Sequence, residues 1–218
     1  RGRAVGERAI LARAMRRADL VISVSAFTAE RVEHRFGRRS EVVTLAAGEG
    51  FVPPDARERE RVRHRYDLPE RFVLQVGTIE PRKQVALLAD VCRELAVPLV
   101  LAGSAWRPSD VPDHARHLGR VPEADLPGLY GAATVVTYLS QYEGFGLPPL
   151  EAMACGAPVL ATRVGALPEH VGDAAVLVGP GHRPSVVREL SDLWRDDSRR
   201  RELGRRAIEQ TRRLSWRA

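Results

Sequence analysis

The sequence of 218 residues predicts an α/β fold in which a parallel β-sheet carries helices on both faces. From about residue 71 onward, short apolar runs alternate with segments long enough to form helices. The runs are apolar throughout, which indicates strands buried on both faces by crossover helices. Ligands bind such sheets at the carboxyl ends of the strands, so the loops that follow the runs are expected to carry function.

The apolar runs and the segments between them place each element of this sheet. The predicted strands lie at 72–76, 97–102, 134–139, 158–161 and 175–178, with a weaker one near 117–121. The predicted helices lie near 82–95, 124–132, 149–155, 185–195 and 198–214.

The first 50 residues carry a smaller pattern of the same kind. A basic helix is predicted at 3–17, a strand at 20–25, a helix at 26–36 and a strand at 41–45, before a helix at 56–66. Two such units are too small to bury a core of their own. We therefore expect residues 1–50 to be the remnant of a preceding domain with its linker. The main domain is predicted at 51–196 and a C-terminal helix at 197–218.

The net charge of +6 comes from the two ends of the chain, because acidic residues outnumber basic ones between 67 and 190. The basic runs at the ends contain Glu at helical spacing, which favours solvated helix faces over a nucleic-acid interface. Contact with an anionic membrane surface stays open. The two cysteines, Cys92 and Cys155, form no motif and are expected to be buried thiols.

The first candidate site is GTIEPRK, residues 77–83, directly after the first strand of the main domain. Gly77 lets the backbone turn closely at the strand end. Pro81 suits the start of a helix, which would place Arg82 and the only lysine of the chain, Lys83, in its first turn. Two cations there oppose the helix dipole unless an anion binds beside them. The alternative is that both side chains point into solvent.

The second candidate site is YEGFGLPPLE, residues 142–151, after the strand at 134–139. Its glycines permit close approach of a ligand to the backbone, and its two prolines mark a helix start. Glu143 is predicted in the loop and Glu151 near the first turn of the helix, so that they line one pocket from two sides. The alternatives are a surface charge for Glu143 and a favourable first-turn carboxylate for Glu151.

Together with LPEHVGDAAVLVGP at 167–180, these motifs resemble the retaining GT-B glycosyltransferases of family 4, also called group 1. ADLVISVSAFTAE at 18–30 and the final RRLSW extend the likeness over nearly the whole chain. The resemblance implies the C-terminal, Rossmann-like half of a GT-B fold, which holds the nucleotide-sugar donor. Residues 1–50 would then belong to the acceptor domain.

The resemblance also implies roles for the motif residues. Arg82 and Lys83 would bind the donor diphosphate and stabilise its leaving charge. Glu143 would contact hydroxyls of the donor sugar, and Glu151 those of the ribose. Val121 would offer backbone groups to the base. Further donor contacts are implied for Gly77, Thr78, Gly144, Phe145, Gly146 and Leu147.

Three features depart from the family pattern. Gly48-Glu49-Gly50 stands where a Gly-Val-Asp turn is usual, and Gln84 stands where Asn often follows the Arg-Lys pair. Most of the acceptor domain is absent from the sequence, including the loop that closes over the donor sugar. Family members use no metal and no cofactor, and none is expected here.

Other polar residues have simpler interpretations. His114 and His117, beside Asp110 and Asp113, form a weak metal pattern, but a polar surface loop is the favoured reading. His170 could touch a ligand, although packing or capping is favoured.

The sequence thus predicts transfer of a hexose, mannose or a related sugar, from a nucleoside diphosphate sugar with retention. GDP-mannose is the expected donor, UDP sugars stay open, and the acceptor is unknown. The alternative is a nucleotide-binding module without transfer activity, while an epimerase of similar fold is disfavoured by the two motifs. A cytoplasmic location is expected, with membrane-surface contact open, and self-association is expected through residues 1–50.

Overall fold

A computed structural model of the chain describes residues 2–214 and 216, with side chains from residue 9 onward. The described strands are β1 (Ile22–Ser23), β2 (Glu41–Val42), β3 (Val73–Val76), β4 (Leu99–Ala102), β5 (Arg116–His117), β6 (Val135–Tyr138), β7 (Val159–Thr162) and β8 (Val176–Val178). The described helices are α1 (Gly2–Arg17), α2 (Ala26–Phe36), α3 (Ala56–Arg65), α4 (Val85–Glu94), α5 (Leu126–Ala132), α6 (Leu147–Ala154), α7 (Leu167–Val171), α8 (Arg183–Arg195) and α9 (Asp197–Thr211).

The main sheet has six strands in the order β5-β4-β3-β6-β7-β8, and all five pairings are parallel. This confirms the predicted fold class. The weak strand expected near 117–121 is the short edge strand β5, which lies earlier, at Arg116–His117. The strand order reverses at β3 and β6, so a crevice opens between the loops that follow these two strands.

Helices cover both faces of the sheet, as the apolar runs predicted. Adjacent residues of β3 point to opposite faces, with Leu74 in one hydrophobic core and Val73 in the other. The core around Leu74 includes buried residues of α3, α5 and α6, whereas the core around Val73 includes those of α4 and α8. Each face is thus buried by its own set of helices.

The N-terminal segment forms a second, smaller sheet, and its residues Val24 and Leu45 pack against the core of the main domain. Strands β1 and β2 pair in parallel as a two-stranded sheet of their own. Ile22 is 59% exposed, and Val42 and Val43 are exposed as well. The domain boundaries at 50 and 196 stay predictions. None of the helices in the described part of the chain has both the length and the hydrophobicity that crossing a bilayer requires.

Candidate functional site

The Arg-Lys pair lies before a helix and not in its first turn, which corrects the prediction. Pro81–Lys83 form a separate 3-10 turn. Gln84 then adopts a left-handed backbone conformation with φ of 51°, and α4 begins only at Val85. This break sends the Lys83 side chain inward, where it is 7% exposed, and excludes the interpretation that it points into solvent.

The two cations converge on Glu143. Lys83 Nζ and an Arg82 guanidinium nitrogen each lie 2.6 Å from the same oxygen, Oε1, of Glu143. The Tyr138 hydroxyl donates to this oxygen at 2.9 Å, and Lys83 also contacts that hydroxyl and the Tyr138 ring. Glu143 is only 9% exposed, so its carboxylate belongs to a buried ion cluster and is no surface charge.

Arg82 extends this cluster toward the surface. Its guanidinium donates to Glu80 at 2.6 Å, to the Tyr142 carbonyl at 2.6 Å and to Ser140 Oγ at 3.1 Å. Two carboxylates therefore balance two cations in the structure. An anion that binds here must compete with Glu143 and Glu80 for the same donors.

The cations keep Glu143 ionised. Burial alone would raise the pKa of this carboxyl, but the hydrogen bond and charge of Lys83, with hydrogen bonds from Ser140 and Tyr138, hold the pKa below its usual value. Burial lowers the pKa of Lys83, and the hydrogen bond and charge of Glu143 oppose this shift.

The loop from Gly144 to Gly146 leads into α6. Gly146 caps the helix with a positive φ of 96°, and prolines follow at its second and third positions. Among the described residues, no group accepts a hydrogen bond from the amide N–H of Gly144, Phe145 or Gly146. These donors and the helix N-terminus can take up an anion or sugar hydroxyls.

Glu151 is the fifth residue of α6 and directly follows its first turn, close to where it was predicted. Its Oε2 accepts a hydrogen bond from the buried Tyr130 hydroxyl at 2.8 Å. Burial raises its pKa, and the charge of Glu123 acts in the same direction against the Tyr130 hydrogen bond. Glu151 is therefore the more easily protonated of the two motif glutamates.

The two glutamates have different surroundings in the structure, and their shared pocket stays a prediction. Glu151 lines a cleft of about 560 Å³, which does not include Glu143 because that side chain is turned toward Lys83. The cleft is lined by Phe51, Arg120, Val121, Pro122, Glu123, Leu126 and Glu151.

A second cleft of about 360 Å³ adjoins the first and shares Arg120, Val121 and Leu126 with it. Gly77 and Thr78 line this second cleft. A Cβ atom at Gly103 would lie 2.1 Å from the Gly77 carbonyl oxygen, so the ends of β3 and β4 can approach only because a glycine stands there. Gly77, Thr78, Val121 and Glu151 thus lie along two adjoining clefts.

The remaining candidate residues have structural roles. His114 and His117 contact backbone carbonyls, and no group of three or more potential metal ligands occurs in the described part of the chain. His170 is buried, with its ring 4.0 Å from that of Phe145. Burial raises the pKa of both thiols, Cys92 and Cys155, to about 12, as expected of inert cysteines.

Sequence reasoning missed several residues of the site, among them Glu80, Tyr130, Tyr138 and Phe51. Glu80 lies inside the first motif and Tyr138 near the carboxyl end of a predicted strand. Both could have been predicted as site residues from these positions. Tyr130 and Phe51 come from a helix and a linker, where no local pattern distinguishes a site residue from a core residue.

A protein-family model described as "Glycosyl transferases group 1" matches residues 56–210. The chain belongs to this family. The match covers every candidate site residue that the two motifs predicted, and it excludes the segment before residue 56.

Curated relatives of this chain include two bacterial glycosyltransferases. The "O-antigen chain mannosyltransferase B" of Escherichia coli is 35% identical over 91% of this chain and 58% of its own length. A "D-inositol 3-phosphate glycosyltransferase" of Corynebacterium glutamicum is 33% identical over 83% of this chain and 49% of its own length. The chain thus spans about half the length of the curated relatives it matches.

Solved structures of similar fold support the same architecture. A sucrose-phosphate synthase from Thermosynechococcus elongatus matches 95% of this chain with a TM-score of 0.82 and 26% identity. Anabaena HepE, crystallised with UDP and glucose, matches 95% of this chain and 62% of its own, with a TM-score of 0.86 and 21% identity. The latter likeness concerns the fold alone.

Proposed function

We propose that this chain is the donor-binding half of a glycosyltransferase that transfers a hexose from a nucleoside diphosphate sugar with retention. One observation carries the proposal. At the carboxyl edge of the sheet, the cluster of Arg82, Lys83 and Glu143 lies next to the loop 144–146 before α6, whose amide N–H groups have no acceptor among the described residues. Such a set of cations and amides suits a diphosphate.

The diphosphate is proposed to bind at Arg82 and Lys83. It would take the place of Glu143 as the partner of the two cations, and the negative charge that develops on the leaving nucleotide would be stabilised by the same groups. Backbone amides of residues 144–147 would complete the binding of phosphate and sugar.

The nucleoside is proposed to lie in the two adjoining clefts. Glu151 would accept hydrogen bonds from the ribose hydroxyls and the backbone of Val121 would contact the base, since both residues line the first cleft. Gly77 and Thr78 line the neighbouring cleft, where the small residues at the strand ends leave room for the donor. Glu143, once released from the cations, is proposed to contact the sugar hydroxyls.

Mannose or a related hexose, carried by GDP, is the proposed donor sugar, without a metal ion or cofactor. The name of the E. coli relative supports mannose as the sugar, since its identity of 35% covers 91% of this chain.

A second candidate function is nucleotide binding without transfer by this polypeptide alone. It is favoured by the length of the relatives, of which the chain spans about half. Catalysis by a two-domain transferase requires a cleft that closes over the donor and excludes water.

Calorimetric titration with GDP and UDP tests the proposed site. Charge-assisted contacts to phosphate contribute roughly 1.5–3 kcal/mol each, so Lys83→Ala should weaken binding about tenfold or more. Arg93→Ala removes a charge from the exposed end of α4 and serves as the matched control, with unchanged affinity. Equal affinities for the wild type and Lys83→Ala would remove the diphosphate assignment.

A further inference from the structure

The loop that carries Glu143 is held by the amino-terminal end of α2. Ser25 Oγ lies 2.7 Å from the carbonyl oxygen of Gly144, and Thr28 Oγ1 lies 3.2 Å from the same oxygen. Ser25 is fully buried, and its Oγ also accepts the Thr28 amide N–H as the cap of α2. Ser25 Oγ also lies 2.8 Å from Thr28 Oγ1. Each hydroxyl has one proton, so either both donate to the Gly144 carbonyl, or Ser25 donates to Thr28 and Thr28 donates to Gly144. Gly144 lies more than 110 residues away in the chain.

This end of α2 is itself fixed against α7. The Glu169 carboxylate accepts hydrogen bonds from the amide N–H groups of Ala26 and Phe27 at 3.0 and 3.2 Å. The Phe27 ring also meets the ring of Tyr142 edge-on, with 5.8 Å between the centroids. The hydroxyls therefore act from a helix end that is anchored on the segments after β6 and β7.

The preceding carbonyl in the loop is held as well. The Ala166 amide donates to the Glu143 carbonyl oxygen at 3.1 Å. A Cβ atom at Gly165 would lie 1.9 Å from that oxygen, so this approach needs a glycine. Hydrogen bonds thus fix the orientation of two consecutive carbonyls, those of Glu143 and Gly144.

Fixing these carbonyls also fixes the amides that follow them. In a trans peptide the C=O and N–H bonds point in opposite directions, and the described chain has no cis peptide bond. The N–H of Phe145 therefore points away from Ser25 and Thr28. It is one of the amides for which the described residues offer no acceptor.

We propose that Ser25 and Thr28 are positioning residues of the donor site. By binding the Gly144 carbonyl they hold the Phe145 N–H in the direction where it meets the donor, and they keep the Glu143 loop against the cations. The inference rests on the proposed function. It also extends the site to a segment that lies before the family match at 56–210.

The experiment measures GDP and UDP affinity by calorimetry together with the unfolding temperature of the 218-residue chain. Removing both hydroxyls with the double substitution Ser25→Ala and Thr28→Val should weaken nucleotide binding about fivefold to tenfold. The reason is that the Phe145 N–H is then no longer held in place through the Gly144 carbonyl. Thr28→Ser keeps the hydroxyl and should bind as the wild type, whereas Thr28→Val should bind more weakly.

Asp196→Ala is the matched control for the lost helix cap. Asp196 caps α9 by accepting the Arg199 amide at 2.9 Å, so its loss should lower the unfolding temperature without changing affinity. A folded double variant with wild-type affinity, or equal weakening by Thr28→Ser and Thr28→Val, would overturn the positioning role while leaving the proposed function intact. Failure of the wild type to bind either nucleotide would overturn both.

Discussion

At the scale of single residues, the two glutamates of the second motif differ because their neighbours differ. Glu143 is surrounded by two cations and a tyrosine hydroxyl, and its pKa is lowered. Glu151 is partly buried with one hydrogen bond from Tyr130, and its pKa is raised. Spacing along the sequence placed both at the crevice, but the charge state of each depends on contacts from other elements.

Replacing Glu143 tests its role as a competitor for the cations. Glu143→Gln leaves Lys83 buried without a carboxylate partner, so the free energy of unfolding should fall by about 3 kcal/mol. A lowered pKa of Glu143 stabilises the fold at pH values above the pKa of an ordinary Glu. The difference in the free energy of unfolding between the wild type and Glu143→Gln should therefore shrink as the pH falls through the pKa of Glu143 in the folded state. Free GDP should bind at least as tightly, while GDP-mannose should bind less tightly. A loss of GDP affinity as large as that of Lys83→Ala would contradict this division of roles.

The raised pKa of Glu151 predicts a pH dependence of donor binding. A carboxyl with a raised pKa takes up its proton at a higher pH than an ordinary Glu, and the protonated form accepts ribose hydroxyls less well. Affinity for GDP-mannose can be measured by calorimetry from about pH 8 down to about pH 4.5. As the pH falls, it should decline before exposed carboxylates take up protons. In Glu151→Gln the affinity should be lower and this decline should be absent; an unchanged profile would contradict the ribose assignment.

At the scale of elements, the sequence predicted the strands of the main sheet and most helices because their apolar periodicity is local. The sequence did not predict the break at Gln84 between the 3-10 turn and α4, because a single residue with a left-handed backbone does not change the apolar periodicity. Pro81 alone indicated one continuous helix. Helix α7 was not predicted because its five residues span little more than one turn, which is too short for a helical repeat of apolar residues to be recognised. The contacts of Ser25 and Thr28 with Gly144 depend on tertiary packing, whereas their place at a helix cap was predictable.

The packing of α9 on the turn after α6 gives a test at the same scale. A Cβ atom at Gly204 would lie 2.4 Å from the Gly156 carbonyl oxygen. Gly204→Ala should therefore lower the free energy of unfolding by about 1–3 kcal/mol, although alanine is otherwise the better helix former by about 1 kcal/mol. Gly50→Ala, with open space around it, is the control in urea denaturation. A stabilised Gly204→Ala would show that the contact is looser than the structure describes.

At the scale of the whole molecule, the small sheet of β1 and β2 leaves exposed apolar side chains and free outer strand edges in the described chain. Edge pairing satisfies backbone groups, so we predict self-association through this segment. Sedimentation velocity should show a concentration-dependent mass, and Ile22→Lys should shift it toward the monomer. A monomer at all concentrations would contradict the prediction.

The central claim is that one crevice holds a nucleoside diphosphate from the cations to the ribose carboxylate. A crystal structure of the chain grown with GDP tests it most directly. We predict the diphosphate at Arg82 and Lys83 beside the amides before α6, with Glu143 displaced and the ribose at Glu151. A well-defined GDP elsewhere, for example in the cleft between α4 and residues 109–112, would contradict the account.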